Sequence, residues 1–165
     1  PDAYTGRLAR EKARAIAAHE PRAVVIAADT TVVVDGDILG KPTDAAEARA
    51  MLARLAGRTH EVFTGMAVVR AEGAPGGPAG EAAHVERVRV TFRTLTAREI
   101  DDYVATGEPM DKAGAYGIQG YGATIVERIE GDYFAVMGLS LVRLVALLDA
   151  VGVAYVYGHG TRARG

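Results

Sequence analysis

Residues 23–42 read AVVIAADTTVVVDGDILGKP, and the class of fold turns on how this stretch is divided. AVVIAAD is a continuous apolar run of strand length, the pattern of a strand covered on both faces. TVVVDGDIL reads as a short β-hairpin turning at Asp35-Gly36-Asp37. A doubly covered strand asks for flanking helices, while a hairpin introduces an antiparallel pair. Together they predict an α/β protein whose sheet is mixed rather than purely parallel.

Outward from this stretch, helices and strands interleave. Before it, GRLAREKARAIAAHE places Leu8, Ile16 and several alanines on one helical side and Arg7, Arg10, Glu11 and Arg14 around the rest, with Pro21 after its end. After it, Pro42 and Thr43-Asp44 punctuate the start of a second helix with Ala48, Met51, Leu52 and Leu55 on one face and Gly57 placed to end it. Strand-like HEVFTGMAVV and HVERVRVTF flank AEGAPGGPAG at 71–80, a loop expected to be mobile and without chemistry. Thr96 and Glu99 form a capping box for a third helix that turns Ile100, Tyr103 and Val104 inward. ATIVERI, a turn at Glu130-Gly131-Asp132 and a last helix with Leu141, Leu144, Val145 and Leu148 on one face complete the order.

The 165 residues suit one domain, expected over 1–155 with a flexible tail over 156–165. With 49% hydrophobic and 24% charged residues and a net charge of -2, the chain has no basic field for nucleic acid, so anion binding must be local. The absence of cysteine excludes thiolate metal sites, disulfide scaffolds and cysteine nucleophiles. It also fits a reducing cytoplasm. No apolar run approaches the roughly 18–20 residues of a membrane span, and PDAYTGRLAREKARA has neither the basic segment nor the apolar run of a signal peptide.

Few residue types can then carry chemistry. Asp29 closes the apolar run, where a carboxylate is costly unless paired, hydrogen-bonded or metal-bound, although a cap for the following turn is its ordinary reading when taken alone. Lys41 stands between Gly40 and Pro42, a setting that can aim an ammonium, or it is a plain surface lysine. Lys12 lies on the first helix beside Glu11 and says nothing by itself. GEPMDKAGAYGIQG at 107–120 puts Lys112 and Gln119 among four glycines. Lys112 pairs with Glu108 or Asp111 as a loop staple, or it contacts a phosphate. Gln119 ties down loop backbone, or its amide meets the edge of a base that the glycines let approach. His60 and His84 lack ligand spacing and read as structural, and no zinc, P-loop or dinucleotide motif is present.

Taken together, RLAREKA at 7–13, AADTTVVVDGDILGKP at 27–42, LAGRTHEVFTG at 55–65, VTFRTLT at 90–96, YVATGEPMDKAGAYGIQG at 103–120 and GDYFAVMGLSL at 131–141 resemble the Maf-like nucleoside triphosphate pyrophosphatases, once described as septum-formation proteins. The motifs are collinear over nearly the whole chain. The resemblance implies a mixed, twisted central sheet flanked by helices in the inosine-triphosphatase-like fold, and a homodimer. It implies hydrolysis of a nucleoside triphosphate between the α and β phosphates with Mg²⁺ or Mn²⁺, with Asp29 as catalytic base or metal ligand. Lys12 and Lys41 match phosphate-binding lysines, and Thr30 and Gln119 match positions tied to substrate choice; Lys112 stays open between phosphate contact and staple. The form around Gln119 is similar to that of members acting on dTTP and UTP. Alternatives are a purine or modified-base pyrophosphatase and a nucleotide-binding regulator of cell division. The family also carries a leading strand and an SxSPRR-like segment that the domain over 1–155 is expected to lack, and Ser140 stands where proline is common.

Overall fold

In the computed structural model the described residues are all but Gly76, His159, Arg164 and Gly165, with the backbone alone over 160–163. Five strands form one sheet: β1 (Val24–Val34), β2 (Asp37–Leu39), β3 (Thr59–Arg70), β4 (Gly80–Phe92) and β5 (Val126–Glu130), in the order β2-β1-β3-β4-β5. The helices are α1 (Asp2–Ala17), α2 (Ala45–Leu55), α3 (Ala97–Ala105), α4 (Tyr133–Val136) and α5 (Leu141–Ala150). The predicted α/β class and helix-bearing connections are present. Every neighbouring pair is antiparallel, however, where a mixed sheet is expected. β2 pairs antiparallel with β1 and β5 with β4. The end of β3 lies beside the start of β1, where Ala71 N donates to Ala23 O over 3.1 Å, and the end of β4 beside the start of β3, where Phe92 N donates to Arg58 O over 3.0 Å.

The chain divides into two compact units. The first comprises Thr30–Phe63 and Arg87–Met137 with Pro1. Its core gathers Val32 and Val34 from β1, Ala48, Met51, Leu52 and Leu55 from α2, Val90 and Phe92 from β4, and Ile100, Tyr103 and Val104 from α3. These are the faces that the helical spacing predicts. Asp44 caps α2 and Thr96 with Glu99 forms the expected capping box on α3, so each helix starts with backbone donors satisfied. The β1–β2 turn places Asp35 and Gly36 at φ of 53° and 84°, the conformation of a two-residue hairpin turn.

Within this core His60, only 2% exposed, meets Phe92 and Tyr116 edge to face, and its Nε2 is hydrogen-bonded to the Tyr116 hydroxyl at 2.8 Å. Its Nδ1 has no hydrogen-bond partner among the described residues. Burial pushes the imidazole down to about 4, so it is neutral in the folded protein near neutral pH.

The second unit comprises Asp2–Asp29, Thr64–Glu86 and Gly138–Gly165. The buried residues of α1 are Thr5, Gly6, Ala9 and Ala13. Leu8 is half-buried and Ile16 is 56% exposed, contrary to the expected apolar face. The reason is close approach: a Cβ at Gly65 of β3 would stand 2.5 Å from Thr5 O, so only small residues fit where α1 meets the strand. On α5, Leu147 and Leu148 are buried and Leu144 is partly so, whereas Leu141 and Val145 are exposed, so the covered face is rotated from the expected one. Ser140 caps α5, its Oγ accepting from Arg143 N. Over the expected tail, β6 (Val153–Val156) pairs antiparallel with β7 (Gly160–Ala163); residues 159, 164 and 165 lie outside the described residues.

Candidate active site

Asp29 does not end a strand. β1 continues through Thr30 and Thr31 to Val34, because β-branched residues carry the pleat past the carboxylate, and a turn cap at Asp29 is excluded. Its side chain is 18% exposed and accepts a short hydrogen bond from Lys12 Nζ, which reaches it from α1. Glu11, next to Lys12 in sequence, pairs with Arg7 at 2.9 Å. Arg14 makes a two-pronged contact with Glu81 at 2.7 and 2.9 Å, and Arg10 lies 3.5 Å from the same carboxylate. Each cation of this stretch of α1 therefore faces an acid, with Arg10 and Arg14 sharing Glu81. Asp29 lies on β1, followed directly by the half-buried Thr30.

In the first unit the LGKP and GEPMDKAGAYGIQG motifs are joined. Gly114 N donates to Gly40 O over 3.0 Å, next to the exposed Lys41. Lys112 Nζ donates to Asp111 Oδ1 at 2.7 Å and to Glu108 O at 3.0 Å. The hydrogen bond and charge of Lys112, with a smaller contribution from the charge of Lys41, hold the Asp111 carboxyl below its usual range. Two predicted lysines thus share one electrostatic neighbourhood, and the expected staple at Lys112 is formed, to the Glu108 carbonyl rather than its carboxylate. The stem of Lys112 lies against Gly117, where a Cβ would stand 3.0 Å from Cε.

The loop backbone is under constraint as well. Gly114 at φ 71° is followed by Ala115 at φ 60°, a buried non-glycine in the left-handed region. Such conformations cost of order 1 kcal/mol or more and persist where the surroundings over-determine them. Gln119 is exposed and extended at φ -106°, and its side chain does not cap the 3-10 turn that follows at Gly120–Thr124. A recess of about 240 Å³ lined by Asp35, His60, Glu61 and Arg89, among others, contains none of the predicted residues.

The model of the Maf-like protein family matches residues 1–151. The chain belongs to the Maf-like proteins. Among curated Maf-like relatives, one from Moorella thermoacetica named dTTP/UTP pyrophosphatase is 57% identical over 93% of this chain and 76% of its own length. Relatives of the same name from Myxococcus xanthus and Symbiobacterium thermophilum are 51% and 52% identical, each over 92% of this chain and 74% and 75% of their own.

Two residues that organise this Maf-like loop escape a reading of the sequence. Tyr103 reads there only as a core residue of α3, and Glu108 only as a partner for Lys112. In the structure Glu108 accepts from Tyr103 Oη at 2.8 Å, Tyr121 N at 2.9 Å and Gly122 N at 2.9 Å. Burial raises the Glu108 carboxyl, but these donors and the charge of Lys112 outweigh it and leave the group below its usual range. The signal available was Tyr103 itself, since an inward tyrosine needs a partner for its hydroxyl.

A divalent ion is tested by the donor set. Among the described residues no group of three or more His, Asp or Glu side chains is placed to hold one. Asp29 supplies a single carboxylate. That suits Mg²⁺ or Mn²⁺ carried on substrate phosphates, which needs only one or two protein carboxylates, rather than a cage built by the chain.

Proposed function

We propose that this chain hydrolyses dTTP, UTP and related pyrimidine nucleoside triphosphates to the monophosphate and pyrophosphate. The carrying observation is the 57% identity to a relative named dTTP/UTP pyrophosphatase, which extends over 93% of this chain. In this reading the oxygen of a water attacks the α-phosphorus as its proton passes to Asp29. The α–β P–O bond breaks, and its electron pair leaves with pyrophosphate. Lys12 holds the Asp29 carboxylate oriented and, with Lys41, offsets phosphate charge. Mg²⁺ or Mn²⁺ would be held by Asp29 and the triphosphate oxygens and would supply further charge neutralisation.

Substrate choice is assigned to Gln119, with Thr30 beside the Asp29 carboxylate in sequence. Thymine and uracil offer a carbonyl, an N–H and a carbonyl, and one amide can donate to the oxygen while accepting from N3–H. The amide of Gln119 is exposed and does not cap the turn that follows it, which supports this reading. Pyrophosphate release from dTTP, UTP, 5-methyl-UTP and 7-methyl-GTP tests the reading; a clear preference for the guanine compound would overturn it. A homodimer belongs to the same reading, and light scattering on the eluted protein checks it.

A further inference from the structure

The loop that carries Gln119 is held on both sides by one carboxylate and one phenol. Upstream, Gly117 N donates to Tyr103 Oη at 3.2 Å, and Tyr103 Oη donates to Glu108 Oε1 at 2.8 Å. Downstream, Gly122 N donates to Glu108 Oε1 and Tyr121 N to Glu108 Oε2, each at 2.9 Å. Gln119 sits between these anchors, and its side chain makes no cap hydrogen bond to the turn that follows.

The packing is shaped around this carboxylate. Gly120 takes φ 63°, and a Cβ there would stand 2.5 Å from Glu108 Oε2. A Cβ at Gly122 would overlap Gly117 O and lie 2.8 Å from Tyr103 Oη. Tyr103 in turn is fixed by α3, whose start is closed by the Thr96–Glu99 box and whose Ile100 and Val104 are buried in the core. A rigid helix therefore sets the position of a loop that the glycines alone would leave free.

We propose that Glu108 is a positioning residue for base selection: by tying Tyr103, Tyr121 and Gly122 to one carboxylate, it fixes the backbone that presents Gln119 to the pyrimidine edge. This rests on the assignment of Gln119 under the proposed function. Direct contact between Glu108 and substrate is not part of it, because three donors already occupy its two oxygens. Glu108→Gln is the informative change, since the amide keeps the size but turns one acceptor into a donor facing Tyr121 N or Gly122 N.

The experiment uses the full chain with Mg²⁺ and compares dTTP with dCTP, whose amino group and unprotonated N3 reverse the hydrogen-bond pattern. E108Q is expected to raise KM for dTTP more than it lowers kcat, and to reduce the dTTP/dCTP ratio of kcat/KM about tenfold. Q119A should do the same, and adding E108Q to Q119A should not reduce the ratio further, because both act through one contact. In the nucleotide-free protein, amide exchange over 117–122 should quicken in E108Q. An unchanged ratio with only a lowered melting temperature, independent losses in the double variant, or unchanged exchange would each overturn the proposal. If E108Q fails to fold, Tyr103→Phe decides: it removes the hydroxyl link and should lower the ratio partially, and an unaltered ratio overturns the proposal. A wild-type chain inert toward every pyrimidine triphosphate would defeat the functional reading and with it the base-selection role, while the exchange measurement would separately decide whether Glu108 holds the loop.

Discussion

Lys12 and Asp29 form an ion pair whose two members differ in setting: the lysine side chain is 55% exposed, and the aspartate, on a central strand, is 18% exposed. The lysine can leave the pair for a phosphate without disturbing any core. The aspartate is largely buried on β1. That asymmetry suits a fixed base served by a mobile cation.

Asp29→Asn should abolish pyrophosphate release while leaving the far-ultraviolet spectrum and melting temperature nearly unchanged. Lys12→Ala should lower kcat/KM by about ten- to a hundredfold, since a charged hydrogen bond is worth about 1.5–3 kcal/mol. Its cost in stability should be about 1–3 kcal/mol, because the largely buried Asp29 carboxylate loses its partner. Full activity in the asparagine variant would remove Asp29 from the chemistry.

Lys41 and Lys112 should part company on substitution. Lys41 is exposed, so Lys41→Ala should raise KM for the triphosphate at little cost in stability. Lys112 also donates to the Glu108 carbonyl and to Asp111, so Lys112→Ala should lower the unfolding midpoint as well. Urea titrations beside steady-state kinetics would distinguish the two, and a purely structural Lys112 would lose stability with KM unmoved.

Two glycines with similar backbone angles should differ in their tolerance of alanine. Gly107 at φ 78° has no atom within 4 Å of a would-be Cβ, so Gly107→Ala should cost only the left-handed conformation, about 1–2 kcal/mol. Gly114 at φ 71° would drive its Cβ to 2.9–3.0 Å from the Val32 side chain, adding overpacking for a total of about 2–4 kcal/mol. Equal losses in chemical denaturation would show that Val32 yields without strain.

His60 predicts a pH dependence of stability. Its folded value, about 4, lies below the usual 6.5, so between these values the unfolded chain binds a proton that the folded protein does not. The stabilisation is complete above about pH 6.5 and is lost as pH falls toward about 4, by on the order of 3 kcal/mol. Denaturation midpoints measured from pH 7.5 to 4.5 should show the decline in wild type and a shallower one in His60→Phe.

The sequence reveals those features whose cause is local and conceals those set by a neighbour. The α2 and α3 faces and the Thr96–Glu99 box were legible because helical spacing and capping are decided within a few residues. The face of α1 was not, because the backbone of Gly65 in a distant strand selects small residues over Leu8 and Ile16. Pairing of β1 with β3 was hidden for a similar reason: local patterning suggests strands but does not choose their neighbours. At the site, Asp29, Lys41, Lys112 and Gln119 stand out by composition and motif. The partnership of Lys12 with Asp29, and the anchoring of 117–122 by Glu108 and Tyr103, depend on contacts between separate segments.

The hydrogen bond from Gly114 to Gly40, with Val32 pressed against the same glycine, has a consequence for protein engineering. On the proposed role of Gln119, a new base preference would take more than a single exchange at position 119. The unit to move would then run from Glu108 to Gly122, with Tyr103 as its hinge pin and Val32 and Gly40 as the socket. Grafts that move the cassette without its socket would deliver the right letters in the wrong posture.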